Sequence, residues 1–394
     1  MTNILLGLQA RGLHPETLVA HLEDDIRSFF APALRSAHIP VDKLVRGGES
    51  LTMLAECGHP DAARLATAIA AGLPPLLHDV ALYAREFLLR DPDVVHLWLD
   101  EVNVKAGLAA ALAGVPRIVL STRSLNPSHF PLFQPYMRAG YRALTRLSHV
   151  VLLNNSEAGA RNYEQWIGLA PGTCTVIRNG FDFSRMTVAE PEKARTVARR
   201  RFGLPEDAPV IGGVMRLSVE KRPLLWLDVA TRVLHDHPDA RFLLVGDGVM
   251  RDLVVARVAQ APLAARVVLA GHDQRPYDTI PAMDVLFLSS KHEGLPNVLI
   301  EAQALGVAVV SMPAGGAPET LDPGQSGWVV PVDDADAAAR TVSASIADRD
   351  ALRRAGEHGR SFVRERFGLE RLIDETVSVY GLRESCAGTT IGRN

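Results

Sequence analysis

Asp284-Val285-Leu286-Phe287-Leu288-Ser289-Ser290, continuing as Lys291-His292-Glu293-Gly294-Leu295-Pro296-Asn297-Val298-Leu299-Ile300-Glu301, is the stretch on which the reading of this chain turns. The apolar centre, Val285 to Leu288, is not interrupted at alternate positions. It therefore predicts a strand buried on both faces, as in a parallel sheet covered by helices. The loop after the strand carries Glu293. Pro296-Asn297 then predicts a helix start, and the helix runs to Leu305 and stops at Gly306.

The same rhythm extends outward in both directions. Short β-branched runs at Val94–Leu99, Arg117–Ser121, Val150–Leu153, Val210–Met215, Phe242–Val245, Val267–Ala270 and Val307–Ser311 alternate with longer helical patterns. The fold class is α/β: two Rossmann-like, doubly wound parallel-sheet domains facing a central cleft. A strand runs into the turn Asn179-Gly180 and a charge-rich helical stretch follows through Arg201, so the boundary falls near residue 178. Residues 1–177 form the first domain and 178–365 the second. Amphipathic spacing over Ser361–Leu382 predicts a last helix, and residues 366–394 cross back to the first domain.

A chain of 394 residues supports two cores, and 47% hydrophobic with 22% charged residues is ordinary globular composition. A net charge of −3 gives no general reason to bind nucleic acid. Cys57, Cys174 and Cys386 are few and far apart, and read as reduced thiols of a cytoplasmic protein. The apolar stretch Leu108–Leu120 is broken by Gly114, Pro116 and Arg117, which predicts a soluble protein, or at most one peripheral to the inner membrane. Val332-Asp333-Asp334-Ala335-Asp336 resembles a metal-binding cluster, but the Ala-rich run after it favours a helix cap and first turn.

Chemistry collects where strands end. The amides of Leu295, Pro296, Asn297 and Val298, at the start of a helix, are read as an anion site. Carboxylates beside a diphosphate need a diol or a sugar to bind, so Glu301 is expected to hold a ribose and Glu293 the hydroxyls of a donor sugar. Arg216 and Lys221 follow another strand and supply the fixed positive charge that a leaving diphosphate needs, a task a metal would otherwise fill. No metal or cofactor is called for. Gly246-Asp247-Gly248, Gly271-His272-Asp273 and Gly315-Gly316 end further strands, where glycine admits a close backbone approach.

Taken in order, Asn179-Gly180, Arg216 with Lys221, Gly246-Asp247-Gly248, Gly271-His272, Glu293-x7-Glu301 and Gly315-Gly316-x-Pro318-Glu319 resemble glycosyltransferase family 4, retaining enzymes of the GT-B fold. The resemblance covers residues 176 to 380. It implies that Arg216 and Lys221 bind the donor diphosphate, that His272 and Asp273 lie near the base, and that Gly316 lies near the phosphates. It also implies metal-independent hexosyl transfer with retention, from a nucleoside diphosphate sugar to a glycan or lipid-linked acceptor of a bacterial surface polysaccharide.

The first half departs from the family in two places. Arg123 stands where family members carry a histidine facing the reacting sugar, leaving His96 and His129 as other candidates, although a lone histidine is more often structural. Family members also open with a strand and a glycine-rich loop, whereas this chain begins with the helical stretch Thr2–Ala10 closing at Gly12, so the first sheet is expected to lack a central strand. Two other readings use the same residues. A nucleotide-sugar 2-epimerase needs acid and base groups flanking one sugar carbon, which this set does not ask for. A non-catalytic nucleotide-sugar-binding or assembly protein is left open by Arg123 and the opening helix.

Overall fold

The computed structural model describes residues 1–19, 30–45, 48–186, 190–273 and 275–381. Cys386 and the end of the C-terminal segment from Leu382 lie outside them. The described chain forms two compact units: Met1–Asn155, Ala160–Ile177 and the chain from Glu370 in one, Ser156–Gly159 and Arg178–Leu369 in the other.

The first unit contains β1 (Thr17–Val19), β2 (Val41–Lys43), β3 (Val94–Trp98), β4 (Arg117–Thr122), β5 (Val150–Asn154) and β6 (Thr175–Val176). They fall into two parallel sheets, β1-β2 and β3-β4-β5-β6, and among the described strands none pairs with both. The opening helix is Thr2–Ala10, and Gly12 follows it at φ +76°. It packs on the C-terminal helix so closely that a Cβ at Gly7 would lie 2.1 Å from Ile373 Cδ1. That C-terminal segment is two helices, Arg349–Arg366 and Leu369–Tyr380, not the single helix expected over Ser361–Leu382. The break has a local cause: Phe367 is fully buried, and its carbonyl accepts a hydrogen bond from Phe181 N at 2.8 Å. Arg117 ties the last helix down by donating to Val379 O at 2.7 and 2.8 Å.

The second unit is built on a six-stranded parallel sheet containing β7 (Val210–Val214), β8 (Arg241–Val245), β9 (Val267–Gly271), β10 (Val285–Leu288), β11 (Ala308–Ser311) and β12 (Gly327–Val329), in the order β12-β11-β10-β7-β8-β9. Val285 and Phe287 enter the core on one face, Leu286 and Leu288 the core on the other. Strand alternation therefore explains why β10 is apolar throughout. The acidic stretch near residue 334 disperses into separate tasks. Asp334 Oδ2 caps the helix Ala335–Ala347 by accepting from Ala337 N at 2.8 Å, while Asp333 pairs with Arg222 and Asp336 with Arg232.

The charge-rich helix Pro191–Arg201 hides one feature its composition does not advertise. Arg199 is completely buried, donating to the carbonyls of Ala282, Pro205, Glu206 and Ala208 and to Asp284 Oδ2 at 2.7 Å. Asp284 also accepts from Val210 N at 2.7 Å, so one carboxylate serves the buried cation and the start of β7 together. Asp284→Ala should leave the Arg199 charge without this counter-ion and Val210 N without this acceptor, and destabilise the protein by about 3–5 kcal/mol, the usual cost of breaking a buried pair from one side. A lowered unfolding midpoint in urea checks this, with Asp284→Asn as the milder control.

Candidate functional site

β7 is the first strand of the second unit and lies inside its sheet, paired with β10 on one side and β8 on the other. The chain thus winds one way from β7 through β8 and β9, then crosses to β10 and winds the other way. The carboxyl ends of β7 and β10 flank the reversal point, where ligands bind in sheets of this kind. The loop after β7 carries Arg216 and Lys221, and the loop after β10 carries Glu293.

Lys221 Nζ meets Glu293 Oε1 at 2.5 Å, and their side chains are 22% and 9% exposed. Most of the pair is therefore out of water, where charge interactions are strong and an unmatched partner is costly. Arg216 differs: its side chain is 72% exposed and only loosely paired with Glu220, at 3.6 Å.

The helix Asn297–Ala304 begins beside this pair and ends as its sequence predicts. Gly306 N donates to Gln303 O and Val307 N to Ala302 O, both at 2.9 Å, with Gly306 at φ +82°. This is a Schellman stop. At the other end, the N–H groups of Asn297 and Val298 have no acceptor within the helix. Pro296 has no N–H, so the amide cradle expected over Leu295–Val298 lacks that member, and the buried side chains of Leu295 and Pro296 serve packing. Asn179 Nδ2 donates to Asn297 Oδ1 at 2.6 Å and to Leu295 O at 3.3 Å, which ties the Asn179-Gly180 turn to the helix start. One turn along, Glu301 Oε1 accepts from the Tyr277 hydroxyl at 3.4 Å. Burial pushes the Glu301 carboxyl above its usual range, against a lowering contribution from Tyr277.

The glycine-rich loops need glycine for reasons internal to the fold. At Gly246, φ +140°, a Cβ would fall 1.8 Å from Met215 O, and at Gly248, φ +155°, 2.5 Å from Leu217 O. The close approach is to the loop after β7, which Asp247 O also holds by accepting from Leu217 N at 2.9 Å. The Asp247 side chain caps its own neighbour, Gly248 N, at 2.7 Å. Gly316 abuts the site itself: a Cβ there would lie 2.0 Å from Gly294 O and 2.5 Å from Ser156 Cβ. Next to it, Glu319 caps the helix Glu157–Ile167 by accepting from Glu157 N and Ala158 N at 2.9 and 2.8 Å.

Asp273, expected beside a base, turns its carboxylate inward to the Thr279 hydroxyl, to Arg275 N at 2.9 Å and to Arg201 at 3.5 Å. Burial works to raise its pKa, but those bonds outweigh it and hold the carboxyl below its usual range. His272 beside it is exposed. In the first unit, His96 Nδ1 lies 2.8 Å from the Tyr380 hydroxyl and its ring stacks on Trp98 at 3.8 Å. Burial, then the charge of Arg123, pushes its pKa well below the usual range. This is a neutral, packed histidine. His129 closes the short turn Pro127–His129 and packs against Phe130. Burial lowers Arg123 to about 10.

Among known proteins, residues 194–362 match the family described as glycosyl transferases group 1, and residues 30–185 match glycosyltransferase family 4. The chain is 30% identical over 285 residues to 2-deoxystreptamine glucosyltransferase of Streptomyces kanamyceticus, covering 69% of this chain and 72% of that protein. The chain belongs to the family 4 glycosyltransferases. This family 4 chain is also 36% identical over 295 residues to the Vi polysaccharide biosynthesis protein VipC/TviE of Salmonella typhi, covering 72% of this chain and 50% of that protein's length. Anabaena HepE, solved in complex with UDP, shares the two-unit fold at a TM-score of 0.75 and 21% identity, with 96% of this chain and 95% of that one covered. Among the described residues no helix is long and apolar enough to cross a membrane.

The glycines give a test of this geometry. Gly271→Ala has nothing within 4 Å of its new Cβ and should cost about 1–2 kcal/mol, for the left-handed backbone alone. Gly246→Ala, which drives a methyl into Met215 O, should lower the melting temperature by clearly more. Equal melting temperatures for the two variants would contradict the packing described.

Proposed function

We propose that this protein transfers a hexosyl group, with retention and without a metal, from a nucleoside diphosphate sugar to a hydroxyl of a glycan or lipid-linked acceptor. The observation that carries the reading is the Lys221–Glu293 pair at the sheet's reversal point, beside the amino end of the helix that bears Glu301. Names of relatives support it: one is a glucosyltransferase and another serves polysaccharide biosynthesis. The fold neighbour solved with UDP and glucose supports a nucleoside diphosphate donor.

In the proposed reaction the diphosphate lies over the amides of Asn297 and Val298, with Lys221 and Arg216 facing its oxygens. The incoming anion competes with Glu293 for Lys221, so Glu293 can turn to the donor sugar. The bond from the anomeric carbon to the phosphate oxygen breaks, its electrons pass to the diphosphate, and the cations stabilise the charge. The acceptor oxygen bonds to the same carbon on the same face, and its proton passes to the departing phosphate. Glu301 accepts hydrogen bonds from the ribose diol.

Lys221→Ala and Glu293→Ala should each lower turnover about 10²-fold, as loss of preorganised charge does. Nucleoside diphosphate release from a panel of uridine, guanosine and adenosine diphosphate sugars measures it, and near-normal rates in a folded Lys221→Ala protein would sink the assignment. EDTA should leave the rate unchanged.

Glu301 sets the pH dependence. Its carboxyl is raised by burial, and a ribose diol binds the ionised form. Acidification should therefore weaken donor binding at a pH above the usual glutamate range, and donor binding should release protons there. Calorimetry in buffers of different ionisation heat reads this, and Glu301→Gln should abolish the dependence.

A further inference from the structure

Strand pairing alone does not bring Lys221 to Glu293. β7 and β10 pair at Ile211 with Val285 and at Gly212 with Leu286, and both side chains sit well beyond those residues. Between Lys221 and the helix Pro223–Asp236 stands Arg222, whose backbone is left-handed at φ 51° and ψ 55°. Glycine would make this turn without strain, and arginine does not. The compensation lies in the guanidinium, which reaches across to the other loop. Its Nε donates to Ser289 O at 2.7 Å, its Nη2 to Ser290 O at 3.0 Å, and its Nη1 pairs with Asp333 Oδ1 at 2.7 Å.

The other loop answers in kind. Ser289 Oγ donates to Lys221 O at 2.7 Å, and Lys291 N donates to Glu220 O at 2.9 Å. Ser290 Oγ is buried with no partner among the described residues, while the carbonyl of the same residue accepts from Arg222. These bonds flank Lys221 on one side and lead directly into Glu293 on the other. The planar fork of arginine suits two adjacent carbonyls and a carboxylate at once, a geometry lysine cannot copy.

We propose that Arg222 is a positioning residue for transfer: it clamps the loop after β10 to the loop after β7 and thereby holds the backbones that carry Lys221 and Glu293 at the spacing from which both side chains reach the donor. The inference rests on the reading that Lys221 and Glu293 handle the donor. Asp333 serves as the outer tether that aims the guanidinium. A shift of an ångström in such a pair is enough to slow chemistry on the order of 10²-fold while leaving substrate binding largely intact.

The test uses the full chain with UDP-glucose, GDP-mannose and ADP-glucose as donors and water as acceptor, following nucleoside diphosphate release. Arg222→Gly keeps the turn and deletes the clamp. It should lower kcat on the order of 10²-fold, with KM for the donor changed only a few-fold. Methylguanidinium at millimolar concentration should restore part of kcat. Arg222→Lys, which keeps a cation for Asp333 but cannot fork onto both carbonyls, should show an intermediate loss. Asp333→Ala, removing a half-exposed pair, should lose about fivefold or less.

Wild-type kcat in folded Arg222→Gly or Arg222→Lys overturns the proposal. So does a loss that raises KM as much as it lowers kcat and does not respond to methylguanidinium. If Arg222→Gly does not fold, Arg222→Lys and Asp333→Ala decide the matter. Wild-type protein and Lys221→Ala run beside them. A wild type that turns over none of the three donors removes the donor reading itself, whereas an active wild type, an inactive Lys221→Ala and active Arg222 variants remove only the role of Arg222.

Discussion

The pairing of β7 with β10 is the constraint on which the second unit depends. Because β7 comes first in this unit yet lies inside the sheet, the chain must build outward on one side, return, and build outward on the other. The two loops at the reversal point leave in opposite directions, so no connection covers the space between them. Close packing holds the reversal point. A Cβ at Gly212 would fall 1.9 Å from Met283 Sδ and one at Gly213 2.8 Å from Trp226 Nε1, so β7 has room for neither. Trp226 then donates to Phe287 O at 3.2 Å, which fastens the helix after β7 to the strand on the far side of the reversal.

Three sets of polar groups in this unit are matched by groups from a different part of the chain. Arg199 is matched by Asp284 and four carbonyls, the first amides of the Glu157 helix by Glu319, and the carbonyls beyond β10 by Arg222. Each match offsets a desolvation cost that would otherwise disfavour folding. Of these, the Arg222 bonds lie in the loops around Lys221 and Glu293 and tie the two loops together. A charged pair can then remain mostly out of water without the surrounding backbone giving way.

The strand cores were legible because burial on both faces leaves an uninterrupted apolar signature, as in Val285–Leu288 and Val210–Val214. The strands β1, β2 and β12 carry three residues each, too few for any period to register. The helix at Asn297 was legible from its ends, Pro296 before it and Gly306 after it. Partnerships over long separations were not. Asp273 looks like a ligand because it ends a strand, but its fate is decided by Arg201, 72 residues earlier, and by Thr279. Arg199 reads as one more surface cation in a basic run until Asp284 is seen beneath it. The glycines of Gly246-Asp247-Gly248 were recognised as close-approach positions, yet only the fold shows that Met215 and Leu217 are what they approach.

The first unit bears on the proposed chemistry through what its polar residues cannot do. Arg123 keeps its proton at neutral pH even with its pKa lowered to about 10, so it can offer charge but not accept a proton. His96 is neutral and therefore formally able to accept one, but Nδ1 is engaged by Tyr380, and Nε2 is a buried atom against which burial and the Arg123 charge both disfavour protonation. A base whose protonated form is penalised by its own surroundings is a poor acceptor of a proton in a transition state. Neither residue is suited to take the acceptor's proton. The departing diphosphate is suited: it gains negative charge as the sugar bond breaks, and the charge it gains makes it basic at the moment a proton must be removed. In the proposed reaction that proton therefore goes to the leaving group, whereas retention is what the resemblance to family 4 implies.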